Sequence, residues 1–163
     1  MKIIVVEENK ILFDGLYIKN SPVFVEQGKY PVIFNSFKGL VGDTLEKLID
    51  ILKLKISKLF SEYRGLIKEF DKFDTILFEK MILRENISES LLILTDILCR
   101  YYKEQVIILI YEYDAPLTYA YGHGYYKEAV EFFKALYSNT LKTNSNLKMG
   151  VLTGAIRVAQ AIY

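Results

Sequence analysis

The sequence has no tryptophan, a single cysteine and a single histidine. The lone Cys99 excludes an internal disulfide, and its place in an apolar helical run makes it a small core residue. One histidine beside one cysteine also excludes a His/Cys zinc site. Neither sign of charge is in excess: 21 Lys+Arg against 20 Asp+Glu leave a formal net charge of +1. That balance gives no general attraction to nucleic acid or to an anionic membrane. The apolar runs fall far short of the ~20 residues that a membrane-spanning helix needs. The apolar start Met1–Val6 ends at Glu7 and Glu8, before a signal-peptide core could form. A soluble, cytoplasmic protein is expected, with no nucleic-acid or membrane partner.

What is present is a core. The chain has 163 residues, 52% of them hydrophobic and 25% charged, which suits one folded domain spanning 1–163. No repeat, low-complexity tract or interdomain linker interrupts it. The absence of Trp and the heavy use of Ile, Lys, Tyr and Leu reflect genome composition more than function.

Local patterns divide the chain into strands and helices. Lys2–Val6 is β-branched and reads as a strand. Asp14-Gly15 between Ile11–Phe13 and Leu16–Ile18 reads as a hairpin turn. Tyr30–Phe37 reads as a strand, with Pro31 at its start where a missing N–H is tolerated. After a turn at Gly39–Asp43, Asp43 or Thr44 caps a helix whose inward stripe is Leu45, Leu48, Ile49, Leu52, Ile56, Leu59, Phe60 and Tyr63. A shorter helix covers Lys72–Leu83, and another runs from Asn86, at capping-box spacing from Glu89, to about Tyr102. Val106–Ile110 is a continuous apolar run bounded by charge, as expected of a strand buried on both faces. A loop with Pro116, Gly122 and Gly124 leads to a helix over about Tyr125–Leu141. Leu147–Leu152 is a further strand, Thr153-Gly154 breaks it, and Ala155–Ile162 begins one more helix. Strands alternating with helices predict an α/β fold with a mostly parallel sheet.

In such sheets ligands sit beyond the carboxyl ends of the strands, which places Tyr111, Glu112, Tyr113 and Asp114 at the edge of a site. The string VIILIYEYDAPLTYAYGHGYYKEAVEFFKAL, followed by MGVLTGAIRVA, resembles the AAA-ATPase-like family, a P-loop NTPase fold often fused to a nuclease-like domain of the PD-(D/E)XK type. Upstream, KYPVIFNSFKGL is similar to that family's second strand and NKILFDGLYI to the segment after its first helix. The resemblance runs from about Glu8 to the end, and Ile107–Phe133 is its specific part. It implies a partial three-layer fold with a mostly parallel sheet flanked by helices and the first, phosphate-loop strand missing. It also implies that Glu112 stands at the water-polarising position and Asp114 at the second acid of the motif. Thr153 would be a sensor of the γ-phosphate and Arg157 the arginine one turn into the next helix. Local readings stay open beside these: Asp114 as a turn cap, Thr153 as a helix N-cap, Arg157 as a surface residue. His123 reads as a loop residue. The six tyrosines between Tyr111 and Tyr126 either pack on neighbouring helices or form an interface.

Two departures from the family pattern decide what is expected of the site. The metal-binding Asp of the motif falls on Tyr111, and a phenol with a pKa of about 10 is neutral at pH 7 and cannot act as that anion. The pattern G-x-x-x-x-G-K-[ST] is also absent. The one Gly-Lys pair, Gly28-Lys29, is followed by Tyr30, and Val23 stands where the first glycine belongs. Gly122-His123-Gly124 fails as a dinucleotide fingerprint because Lys127 replaces the third glycine. The chain thus reads as an internal piece of a larger ATPase, with no metal site. No cofactor is expected, and ATP with magnesium would enter only if another chain completed the domain. Without its mid-sheet neighbour, Leu147–Leu152 would leave an exposed sheet edge for a protein partner or self-association, unless Lys2–Val6 pairs there.

Overall fold

A computed structural model describes residues 7–83 and 87–155. The strand expected at Lys2–Val6, the cap at Asn86 and the helix expected from Ala155 onward, with Arg157, lie wholly or mainly outside the described residues.

Three short 3-10 helices come first, Glu7–Phe13, Tyr17–Asn20 and Pro22–Glu26. Then follow β1 (Val32–Ser36), α1 (Leu45–Glu62), a 3-10 segment Arg64–Glu69, α2 (Lys72–Ile82), a 3-10 turn Ile87–Glu89 and α3 (Ser90–Tyr102). The chain continues through β2 (Val106–Tyr111), α4 (Ala115–Gly122), α5 (Tyr126–Leu141) and β3 (Leu147–Thr153). The strands form one parallel sheet in the order β1-β2-β3, flanked by helices, as the α/β reading expected.

The sheet has two unlike faces. Because the strand order is sequential, the usual right-handed crossovers carry α1–α3 and α4–α5 over the same face. Ile33, Val106, Ile108 and Ile110 point to that face and are almost fully buried. Their neighbours Phe34, Ile107 and Leu109 are only half-buried. β2 is therefore not buried equally on both sides, contrary to the reading of its unbroken apolar run.

α1 forms where its stripe predicted: Leu48, Leu52, Ile56, Leu59 and Phe60 are buried, and Thr44 rather than Asp43 caps it, its Oγ1 accepting from the Lys47 N–H. Aromatic rings fill the layer between helices and sheet. Phe37 packs on Phe133 and Tyr137 at centroid distances of 5.7 and 6.2 Å, and Phe60 packs on Phe78 at 5.1 Å. Cys99 is half-buried and in no disulfide, and burial pushes its thiol pKa up, in keeping with a packing role.

Two local readings are corrected. Asp14-Gly15 makes a turn, with Gly15 at φ 80°, but no hairpin. The flanking residues instead close 3-10 turns, Asp14 N–H to Ile11 O at 3.1 Å and Leu16 N–H to Phe13 O at 3.0 Å. The segment around Pro116 is helix α4 and not loop. Pro116 lies in its first turn, where no intrahelical partner is missed by its absent N–H.

Candidate functional site at the carboxyl end of the sheet

β2 delivers its last residue into a strained turn. The Tyr111 carbonyl accepts from the Phe37 N–H at 2.8 Å, and the Tyr113 N–H donates to Thr153 O at 3.1 Å. Between them Glu112 is left-handed, with φ 55°, a conformation that costs a non-glycine residue about 1–2 kcal/mol. The consequence is geometric. In a regular strand Tyr111 and Glu112 would point to opposite faces. Here both line one cavity of about 790 Å³, together with Asp114, Thr153, Tyr119 and His123.

Register and close packing set the other members. Ser36, Tyr111 and Thr153 occupy one row across the three strands. Asp114 is 4% exposed, and its carbonyl accepts from the Thr118 N–H at 2.9 Å as α4 begins. Gly154 crosses directly over the Asp114 carboxylate: a Cβ at that position would lie 2.3 Å from Oδ1. A larger side chain there would force the Asp114 carboxylate or the Tyr113 ring to shift. The expected site residues Glu112, Asp114 and Thr153 are thus brought together. Arg157 lies outside the described residues.

The electrostatics are those of a phenol beside a carboxylate. Tyr111 is 45% exposed, and the Glu112 carboxylate, by hydrogen bonding and by its charge, holds the Tyr111 hydroxyl above its ordinary pKa. Tyr111 therefore stays neutral at physiological pH.

Sequence reasoning missed the opposite wall. His123, taken as a loop residue, ends α4 and stacks on Tyr119 at 3.9 Å and 12°. Its Nδ1 lies 2.9 Å from Tyr119 O; a carbonyl only accepts, so Nδ1 carries the proton in this contact. The Tyr119 hydroxyl donates to Asp43 Oδ1 at 3.1 Å. Hydrogen bonds from Lys47 first, and then from Tyr119, lower the Asp43 pKa. The signal was available as the i, i+4 spacing of Tyr119 and His123, legible only once α4 is known to be helical. The six tyrosines split: Tyr113 and Tyr125 are buried, while Tyr111 and Tyr121 are exposed.

The donor set decides what this end of the sheet could hold. Among the described residues no group of three or more His, Cys, Asp or Glu side chains is placed to share a metal ion. The described lining of the cavity contains no Lys or Arg, so nothing there would neutralise a triphosphate. These residues do not fit a magnesium–nucleotide pair.

A three-stranded parallel sheet flanked by helices, with a cavity beyond the carboxyl end of its central strand, is consistent with part of a P-loop NTPase-type α/β fold. The family described as "Predicted AAA-ATPase" matches residues 2–162, and the chain belongs to this AAA-ATPase-like family. Comparisons with curated proteins and with solved structures returned no match. No helix among the described residues is long and apolar enough to cross a membrane.

Proposed function

We propose that this chain is a catalytically silent AAA-ATPase-like domain, one that keeps the sheet and the water-polarising position at Glu112 but not the means to bind metal. The observation that carries this reading is Tyr111. It stands at the end of β2, in register with Ser36 and Thr153, where the family pattern puts an aspartate. A neutral phenol engaged with Glu112 supplies no anion to a hydrated magnesium ion. In this reading Glu112 is vestigial, Thr153 occupies a sensor position without a γ-phosphate to sense, and Asp114 braces the turn beneath Gly154. Arg157 keeps its place in the family pattern. The 163 residues also contain no phosphate loop, and no cofactor is required by the residues present.

The test is ATP turnover by the purified chain with magnesium. No phosphate release above that of a Glu112→Gln control is expected. Magnesium-dependent turnover that Glu112→Gln abolishes would refute the reading.

A second reading is favoured by the outer edge of β3. That strand pairs with β2 on one side, leaves Lys148, Met149 and Gly150 exposed, and has no strand on its other side among the described residues. Here another polypeptide supplies the missing strand and phosphate loop, rebuilding one domain from two chains. ATP and magnesium would then belong to the assembled pair. Co-purification with a chain encoding a strand, a G-x-x-x-x-G-K-[ST] loop and a helix would favour it over the first reading. Tyr111 counts against turnover even then.

A further inference from the structure

We infer that the cavity at the carboxyl end of the sheet binds a small organic ammonium ion, its charge at Glu112 and its apolar body on the Tyr119–His123 wall. The inference rests on the silent reading above, in which no magnesium–nucleotide pair competes for this space. The volume of about 790 Å³ lies within the range of small-molecule sites. Glu112 and Asp114 line it beside the rings of Tyr111, Tyr119 and His123, and the described lining adds no Lys or Arg. Two lysines at the same end of the sheet are engaged elsewhere. Lys47 pairs with Asp43 at 3.3 Å, and Lys55 donates to the carbonyls of Ser36 and Lys38 at 3.2 and 3.1 Å.

The two walls supply different parts of the recognition. Glu112 is half-buried, and its left-handed turn brings it to the cavity. Its described partner is the Tyr111 phenol, a neutral group, so no ion pair among the described residues cancels its charge. Away from bulk water that charge favours a cation over a neutral or anionic guest. Opposite, Tyr119 and His123 stack at 3.9 Å. The Tyr119 hydroxyl donates to the Asp43 carboxylate at 3.1 Å, which pushes electron density into the phenol ring and strengthens its attraction for a cation. A phosphate would instead meet two carboxylates. A bare divalent ion would find no group of three acidic, His or Cys ligands among the described residues. A carboxylate facing an aromatic wall suits an ammonium group carried on a ring.

Calorimetric titration of the full chain tests this with three probes of one shape: benzylammonium, neutral benzyl alcohol and anionic benzoate. At about pH 7.5 an ordinary imidazole is neutral and an alkylamine is charged. One benzylammonium per chain is expected, with the alcohol and benzoate at least about tenfold weaker. Glu112→Gln should weaken benzylammonium by about tenfold and leave the alcohol unchanged, whereas Tyr119→Leu should weaken both; circular dichroism checks that each variant folds. No benzylammonium binding, equal binding of amine and alcohol, or amine binding untouched by Glu112→Gln would each overturn the inference. ATP turnover is measured on the same chain without amine, so the two readings fail separately. Turnover with the charge preference intact refutes the silence alone, and loss of that preference without turnover refutes the ammonium site alone.

Discussion

The two ends of this sheet are built on opposite terms. At the amino end, Arg100 reaches both oxygens of Asp74, which is 5% exposed, and Asp96 Oδ2 at 2.7 Å. Asn146 Nδ2 then donates to Asp96 Oδ1 at 3.0 Å. That network ties α2, α3 and the entry to β3 together, and the buried carboxylate is matched by a bidentate guanidinium. At the carboxyl end, Tyr111, Glu112 and Thr153 face a cavity and Glu112 sits in a strained backbone conformation. One end spends its polar groups on holding elements together. The other opens onto a cavity lined by a phenol beside a carboxylate.

The largest effect expected from disturbing this contrast is at the amino end. Arg100→Ala should lower stability in urea by about 2 kcal/mol. This is less than the ~3–5 kcal/mol of a fully buried pair, because the guanidinium side chain is 44% exposed. A loss under about 0.5 kcal/mol would mean that the network is ornamental.

Alkaline pH probes both ends together. Tyr63 donates to Val32 O at the start of β1, and Tyr137 donates to Tyr113 O beyond β2, each at 3.4 Å. Burial, the leading cause for each, raises both phenol pKa values. A group raised in the folded state stabilises fully below its unfolded pKa. Stability should therefore hold to about pH 10 and then fall by up to about 1.4 kcal/mol per pH unit per phenol. Tyr137→Phe, at 1% exposed, should flatten urea midpoints measured from pH 9 to 11.5. Unchanged curvature would place the titration elsewhere.

The smallest effect is a gain. Glu112→Gly relieves the left-handed strain and should stabilise the chain by about 1 kcal/mol. Lys103, at φ 58° in the C-cap of α3, provides a comparison outside the cavity. If Lys103→Gly gains as much, the strain at Glu112 is no more than an ordinary turn carries.

How much of this was legible in sequence follows from burial. α1 was readable because its apolar stripe is the face it buries, and β2 because a strand between two others must be apolar. The hairpin around Asp14 failed although its turn glycine is indeed left-handed. Ile11, Leu12 and Tyr17 face solvent, so no buried surface selects extended pairing and local i to i+3 hydrogen bonds win. α4 was missed because Pro116 marks a break everywhere except in a first turn. At the site, the family pattern brought Glu112, Asp114 and Thr153 into one neighbourhood. It could not show that Glu112 turns left-handed to the side of Tyr111, since nothing about a glutamate advertises φ 55°. The Tyr119–His123 wall depends on contacts with Asp43, 76 residues from Tyr119 in sequence, which no local pattern encodes.

The central claim is that a phenol at Tyr111 leaves this strand end unable to hold a divalent cation. Titration with Mn²⁺, followed by the loss of the free-ion electron paramagnetic resonance signal, tests it most directly. The account predicts no stoichiometric binding by the wild-type chain and measurable binding once Tyr111→Asp restores a carboxylate beside Glu112. One Mn²⁺ held by the wild-type chain and released by Glu112→Gln would contradict it.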